Sequence, residues 1–201
     1  MRSLAFAAVL LAAAPAGADS FAGAVGGIMI PLADSNSNKT GWTDQVGSGP
    51  KLGVRAGATG ESGLGGMISG DWTPINYNYQ GNGGLDVSAH RFRILAHIVF
   101  EKLVAPKVVV VGRAGGGIDI AHASATLTVG PFSGNASDTD VGWAFELGGG
   151  AYFNLGSVQI GGELALPFGG HSHKAQNAQD ITFDYTSTDI DVLFGVRVVS
   201  R

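Results

Sequence analysis

The sequence predicts an all-β fold, an antiparallel up-and-down transmembrane β-barrel, most simply of eight strands. Three observations lead to it: apolar and polar residues alternate with period two, the connections alternate between long and short, and the N-terminus is typical of export. The alternation is clearest in residues 91–100, where even positions are Phe, Ile, Ala, Ile and Phe and odd positions include two arginines and a histidine. Successive strand side chains point to opposite faces, so one face of this segment is apolar and the other carries charge.

The first 18 residues have the pattern of a secretory signal peptide. Met1-Arg2 gives a basic start, residues 4–13 form an apolar run too short to span a bilayer, and Ala16 and Ala18 fit the small-residue rule for cleavage. We therefore expect residues 1–18 to be removed and residues 19–201 to form one barrel domain, exported to the outer membrane.

The composition excludes several other classes of protein. Glycine accounts for 33 of 201 residues, yet 45% of residues are hydrophobic, which argues against a disordered chain. There is no cysteine, so neither a disulfide framework nor a lipid anchor on cysteine is available. A formal net charge of −4 gives no basic face for a nucleic acid.

Eight segments have the length and pattern of membrane-spanning strands. They are 21–32, 50–60, 64–74, 87–101, 108–123, 140–154, 157–168 and 186–199. Long connections at 33–49, 75–86, 124–139 and 169–185 alternate with short ones at 61–63, 102–107 and 155–156. Outer-membrane barrels alternate long extracellular loops with short periplasmic turns in this way.

The two faces of the predicted strands divide the charges cleanly. The outward positions are uncharged, because a charge facing lipid at mid-membrane costs about 2–4 kcal/mol. The inward positions hold six basic and six acidic residues: Lys51, Arg55, Asp71, Arg91, Arg93, Glu101, Arg113, Asp119, Glu146, Glu163, Asp191 and Arg197.

A lumen just wide enough for side chains would bring these charges together. We expect an ion-pair network of Arg55, Arg93, Arg113, Asp119, Glu146, Glu163, Asp191 and Arg197, with His97 as a candidate for a further member. A balanced network predicts a packed, closed lumen. The alternative is a narrow gated pore for ions or small solutes, in which a pair such as Arg113–Glu146 opens.

Aromatic residues mark two levels on the predicted outward face. Trp72, Trp143 and Phe168 would form the outer girdle, and Phe100 and Phe153 the inner one. Trp143 and Phe153 are ten residues apart on one face, which spans roughly 25 Å along the membrane normal at a strand tilt near 40°. The alternative is that these aromatics belong to the core of a soluble exported barrel.

The chain has a signal peptide, alternating long and short connections, and strands with an apolar outward face. In these features it resembles the small eight-stranded outer-membrane barrel proteins, the OmpA-like and OmpX-like transmembrane domains, over residues 19–201. The resemblance implies a monomer in contact with outer-membrane lipid and lipopolysaccharide. Members of that family usually end in an aromatic residue, whereas this chain ends Val199-Ser200-Arg201.

Other constellations give weaker signals. His171-Ser172-His173 invites comparison with lipid A deacylases, which this chain resembles in size, but the spacing differs from their motif; His171 and His173 share a face and could bind a metal loosely. Asp138 and Asp140 could contact calcium, and Gly115-Gly116-Gly117 lacks the context of a phosphate loop.

The sequence thus favours a structural or surface-interaction role through the external loops. We expect no cofactor, no metal and no enzymatic activity, and the alternatives are the pore and a lipid A-modifying enzyme. No external partner can be named from the sequence.

Overall fold

The computed structural model describes residues 19–36, 46–77, 85–129, 132–174 and 182–200. All regular structure in these ranges is β-strand, in the order β1 (Asp19–Asn36), β2 (Val46–Gly47), β3 (Gly49–Thr59), β4 (Leu64–Tyr77), β5 (Leu85–Ala105), β6 (Val108–Val129), β7 (Phe132–Asn154), β8 (Val158–Lys174) and β9 (Thr182–Ser200). No helix in this part of the chain is long and apolar enough to cross a membrane. The predicted signal peptide, residues 1–18, lies outside the described residues and stays a prediction.

The strands close into an antiparallel barrel. From β3 to β9 each strand pairs with the next one in sequence, and β1 pairs with both β3 and β9, which leaves no gap in the ring. The two-residue β2 is separated from β3 by Ser48 and pairs with the same neighbour, β4, so the two segments together supply one position in the ring. The prediction of an all-β, up-and-down barrel of eight strands is confirmed.

The stagger of the strands fixes how they tilt. Moving from Asp19 through directly opposed residues, once around the barrel, leads back to β1 at Met29, ten residues further along. For eight strands about 4.8 Å apart and a rise of about 3.3 Å per residue, this stagger corresponds to a tilt near 40°. The tilt sets which inward side chains meet at one level of the lumen.

One end of the barrel carries the tight turns, and we call it the turn end. Gly63 and Gly156 lie there with φ of 78° and 95°, a conformation that suits glycine. The predicted short connections at 61–63 and 155–156 are found, whereas the strand predicted to stop at Glu101 continues to Ala105 before the turn at Pro106 and Lys107. The first and last described residues also lie at this end.

At the opposite, projecting end the strands run further than the sequence predicts. The predicted loop 124–139 is wrong: β6 and β7 stay paired from Ala121–Asp140 up to Val129–Phe132. The ends of the other predicted long loops also belong to strands. Residues 37–45, 78–84 and 175–181 of these loops lie outside the described residues. Ser, Thr and Asn at 124–139 suggested a loop, but they alternate with small apolar residues, and threonine is a good strand former.

The outside of the barrel is apolar and the inside is polar, the reverse of a soluble sandwich. Val54, Ile98 and Phe194, for example, are 64%, 67% and 72% exposed. Two apolar clusters close the ends of the lumen. The larger, at the turn end, contains Phe21, Met67, Val99, Val109, Val111, Tyr152 and Val199; the smaller, at the projecting end, contains Met29, Ile75 and Ala89 packed against Ala123. Most of the inward charged residues lie between them.

Candidate functional site

The lumen is filled by charged side chains that adjacent strands present at staggered levels. Glycines opposite them provide the room. A β-carbon on Gly148 would lie 2.9 Å from Arg113 Cζ, and one on Gly150 would lie 2.8 Å from Glu163 Cγ. The inward glycines of β7 therefore let long side chains of β6 and β8 cross the lumen.

Glu163 on β8 is the central acceptor on the turn-end side. Its carboxylate accepts hydrogen bonds from the Arg55 guanidinium on β3 and the Tyr152 hydroxyl on β7, and from Arg113 Nη1 at 2.5 Å. Arg113 Nε also donates to Glu146 Oε1 at 2.8 Å. Two arginines and two glutamates from four strands thus form one buried network.

Lys51 lies among three carboxylates at the next level. Its Nζ is 2.5 Å from Asp191 Oδ2, 3.6 Å from Asp71 Oδ2 and 4.0 Å from Glu146 Oε2, with all four side chains at most 1% exposed. Because Glu146 also pairs with Arg113, it joins this level to the one below. A buried charge persists only when it is paired, and here one ammonium group lies within 4.0 Å of three carboxylates.

Two arginines and two aspartates occupy the level towards the projecting end. Arg91 Nη1 and Arg93 Nη2 donate to Asp189 Oδ2 at 2.9 and 3.0 Å. Arg93 Nε donates to Asp119 Oδ2 at 3.0 Å, while Arg91 Nε lies 3.1 Å from the same oxygen. Arg91 Nη2 also reaches Ser187 Oγ at 2.7 Å.

Arg197 completes the network at the turn end. It donates to Glu101 Oε1 at 2.5 Å and to Gln159 Oε1 at 2.6 Å. Its guanidinium carbon lies 4.3 Å from the Tyr152 ring centroid and 4.9 Å from that of Phe21. The cation is therefore held by a carboxylate on one side and by two aromatic faces on the other.

His97 also lies inside the barrel, where it is buried. Its Nε2 lies 2.9 Å from Ser69 Oγ on the neighbouring strand. A β-carbon on Gly115 would lie 2.6 Å from its Nδ1, so that glycine makes room for the ring. Within the described part of the chain, His97 therefore joins the lumen through a hydroxyl group and not through an ion pair.

Two cavities bear on whether the lumen is open. One, of about 20 Å³, lies between Arg55, Arg113, Glu163 and the apolar cluster at the turn end. That is room for about one water molecule. The other, about 750 Å³, is an open vestibule at the turn end, lined among others by Thr59, Glu101, Gln159 and Val199. Ion pairs and apolar side chains pack the space above the vestibule.

All eight residues of the predicted network point inward, are buried, and lie within 4.0 Å of an opposite charge. Lys51 and Arg91, predicted to face inward but not placed in the network, are central to it. Asp189, which is 0% exposed, is a further member that was not predicted. It shares the face of Asp191, and that parity could have identified it. With Asp189, and with Asp140 facing inward beside His171, the described barrel holds more inward acids than the predicted balance of six and six.

His171 was predicted to lie in the loop 169–185, and this is wrong: it lies inside β8, where it is 4% exposed. Its Nδ1 is 3.1 Å from Asp140 Oδ2, and its Nε2 is 3.6 Å from Asp119 Oδ2. The side chains of Ser172 and His173 lie outside the described residues. Asp138 accepts a hydrogen bond from the Thr139 amide at 2.8 Å, and no group of three or more His, Cys, Asp or Glu residues with metal-binding geometry occurs among the described residues.

The predicted girdle residues all face outward. Trp143, Phe100 and Phe153 are exposed, and Trp72 and Phe168 are half-buried against neighbours. Trp72 stacks on His90 with ring centroids 5.9 Å apart, Phe168 lies 6.5 Å from Phe145, and Lys107 Nζ lies 5.9 Å above the Phe153 ring. Phe92 and Phe145, predicted only as lipid-facing, lie near the level of the outer group.

Comparisons with known proteins agree with this architecture. No family model matches the sequence, and no curated protein matches it. Among solved structures, a major outer membrane protein from Thermus thermophilus is similar over 91% of this chain and 99% of that chain, with 11% identity and a TM-score of 0.60. Neisserial surface protein A (14% identity, 90% and 98% covered, TM-score 0.44) and OprG from Pseudomonas aeruginosa (12%, 90% and 96%, TM-score 0.46) also match. At the level of fold, the predicted resemblance to small eight-stranded outer-membrane barrels is confirmed.

Proposed function

We propose that this chain is an outer-membrane barrel with a closed lumen and a structural or surface-interaction role, exercised through its projecting end. The observation that carries the proposal is the apolar band around the outside. Along β5 the outward residues from Phe92 to Phe100 are all apolar, and polar His90 and Lys102 flank them. The twelve steps from His90 to Lys102 span about 30 Å at a tilt near 40°, so the apolar band of a membrane barrel fits between these two polar residues.

The packed lumen supports a structural or interactive role over transport. Four cations of the lumen each lie against a carboxylate: Lys51, Arg55, Arg113 and Arg197. Opening a path through the lumen would leave some of these buried charges without partners. Breaking one such buried pair costs about 3–5 kcal/mol. The pore remains the transport alternative, with Arg113–Glu146 as one of the pairs that would have to separate.

The projecting end supports the interaction role. Among the described residues, pairing of β7 with β8 begins at Trp143–Gly170, and from Phe132 to Gly142 the strand paired with β7 is β6. A strand of this kind offers backbone groups to an extended peptide from another molecule. Such strand addition is the kind of contact we propose for an external partner.

Location and conductance test the first part of the proposal. We expect the protein in the outer-membrane fraction, with a gel mobility that changes on heating, and no steady current steps in planar bilayers. Recovery as a soluble periplasmic protein without a heat-dependent shift would contradict the membrane assignment. Regular single-channel steps would favour the pore, and altered lipid A acylation in cells that carry the protein would favour the enzyme.

Complementation separates the structural role from the interaction role. Cells without the protein should become sensitive to detergent or lose attachment to surfaces. We call the paired ends of β6 and β7 beyond Ala121–Asp140 the projecting hairpin. A variant in which residues 126–135 are replaced by a short turn should keep the barrel and remove most of this hairpin. Restored detergent resistance without restored attachment indicates that the barrel is structural and the hairpin interactive. Cells indistinguishable from wild type in both properties would contradict the proposal.

A further inference from the structure

The cations and carboxylates of the lumen balance at three levels and not at the fourth. The balanced levels are Arg91 and Arg93 with Asp119 and Asp189, Arg55 and Arg113 with Glu146 and Glu163, and Arg197 with Glu101. Asp140, at the projecting end, lies beside His171. The exception is the level of Lys51, which is the only cation within 4.0 Å of Asp71 or Asp191 among the described residues. This level therefore has one carboxylate more than it has cations.

Asp71 is the less well satisfied of these two aspartates. Its Oδ2 is 3.6 Å from Lys51 Nζ, whereas Asp191 Oδ2 is 2.5 Å away and accepts the hydrogen bond. Neither oxygen of Asp71 has a hydrogen-bond partner among the described residues, although the side chain is only 1% exposed. Asp191 Oδ1 and Glu146 Oε2 are buried in the same way. Four acceptor oxygens thus belong to carboxylates around Lys51 and have no donor.

The surroundings of this level supply no further cation. The charged and titratable groups that face it from β5, β6, β7 and β9 each have another partner: Arg93, His97, Arg113, Asp119, Glu146 and Asp189. The strands β1 and β8 place Met29 and Ala165 directly opposite Asp191, and neither residue carries charge. Neither of the two cavities described above is lined by Asp71 or Asp191.

An ionised carboxylate that is buried without its own counter-charge is so costly that the group takes up a proton instead. We propose that Asp71 and Asp191 hold one proton between them, so that the level of Lys51 is a proton-binding site in the closed lumen. The proton removes the excess negative charge and turns one of the four acceptor oxygens into a donor to another. This site goes beyond the proposed structural or interactive role and requires only that the lumen is closed.

Proton binding couples the stability of the barrel to pH. In the unfolded chain both aspartates are ionised at neutral pH, so folding takes up one proton from the solvent and unfolding returns it. Because the folded state then binds the additional proton, its stability is highest at the acidic end of this range and falls as the pH rises. The unfolding equilibrium constant should increase about tenfold for each pH unit between about pH 6 and pH 8.

Infrared spectroscopy of the full folded chain, at neutral pH in a detergent without ester groups, tests for the proton directly. We expect the carbonyl stretch of a protonated carboxyl group in the wild type. The band should disappear in Asp71→Asn and in Asp191→Asn, because either change leaves a single carboxylate to pair with Lys51. Glu101→Gln is the matched control, since it removes an inward carboxyl group at a balanced level. This control should keep the band.

Urea unfolding in lipid vesicles at several pH values gives a second readout. Asp71→Asn should lose the tenfold dependence per pH unit and should be at least as stable as the wild type at pH 8, because its amide supplies a donor without the excess charge. Glu101→Gln should keep the dependence. The five histidines also titrate in this range, but their contribution is common to the wild type and both variants and cancels in the comparison.

A wild type without the carboxyl band would overturn the inference, and so would a pH dependence that Asp71→Asn retains. Stability that depends, at constant pH, on sodium and is lost in choline would indicate a bound metal cation in place of the proton and would also overturn it. Single-channel steps would contradict the closed lumen of the proposed function. A closed barrel without the band contradicts this inference alone.

Discussion

Glu163 is the carboxylate whose removal should harm the lumen most. It is the only carboxylate within 4.0 Å of the Arg55 guanidinium among the described residues, and it also accepts from Arg113 and Tyr152. Glu163→Gln preserves the shape of the side chain but leaves Arg55 buried without an anion. Arg113 is less affected, because Glu146 still lies 2.8 Å away.

The expected magnitudes follow from these partners. Leaving one buried charge without its partner costs about 3–5 kcal/mol, so Glu163→Gln should lower the free energy of unfolding by that amount. Glu146→Gln leaves Arg113 with Glu163 and leaves Lys51 with Asp191 at 2.5 Å, so we expect a loss of about 1–2 kcal/mol. Adding Arg55→Met to Glu163→Gln removes the cation that lacked a partner and should recover all but about 1–2 kcal/mol.

Urea unfolding in lipid vesicles, followed by tryptophan fluorescence and by gel mobility without heating, measures these differences. Trp72 and Trp143 are reporters on the outward face, remote from the substituted side chains. The reasoning would be refuted if Glu163→Gln cost less than Glu146→Gln. It would also be refuted if Arg55→Met made the Glu163→Gln variant less stable, since the pair would then not be the unit that stabilises the lumen.

Three further sets of variants test other parts of the structure by the same unfolding assay. Gly27→Ala should cost about 1–3 kcal/mol, because its β-carbon would lie 1.9 Å from the Val192 carbonyl oxygen, whereas Gly112→Ala, with no atom within 4 Å, should change stability by less than about 0.5 kcal/mol; equal effects would contradict the packing. Phe194→Arg should cost about 2–4 kcal/mol in vesicles and Phe194→Leu about 1 kcal/mol, whereas a harmless arginine would place this face in water. Replacing residues 126–135 by Asn-Gly should keep heat-modifiable mobility and stability within about 1 kcal/mol, and loss of the folded band would show that the barrel needs the hairpin.

The closed barrel, and which residues face inward or outward, could be predicted from the sequence because charged and apolar residues occupy alternate positions along each strand. A lipid-facing charge is so costly that residues such as Arg93 and Glu146 could be assigned to the inside before any register was known. The partners could not be assigned in the same way. They depend on the ten-residue stagger, which brings Arg55 of β3 to Glu163 of β8 across the lumen. No local pattern encodes that stagger.

The projecting hairpin shows where parity misled the prediction. From Ala121 to Asp140 the alternation continues with its polarity reversed, so a search for apolar outward positions ended the strands too early. Asp189 is a different case, because it lies inside the predicted strand 186–199 on the face of Asp191, where parity alone would have identified it. The point of reversal, at His90 and His122, was visible in the sequence but acquires meaning only when β5 and β6 are aligned.

The central claim, that the apolar face meets lipid while the projecting end meets water, can be tested by spin-label accessibility in lipid bilayers. The chain has no cysteine, so single cysteines for labelling can be introduced freely. Labels at Phe194 and Ile98 should collide readily with oxygen and little with a water-soluble nickel chelate, and a label at Ser137 should show the reverse. Nickel access at Phe194 equal to that at Ser137 would contradict the account.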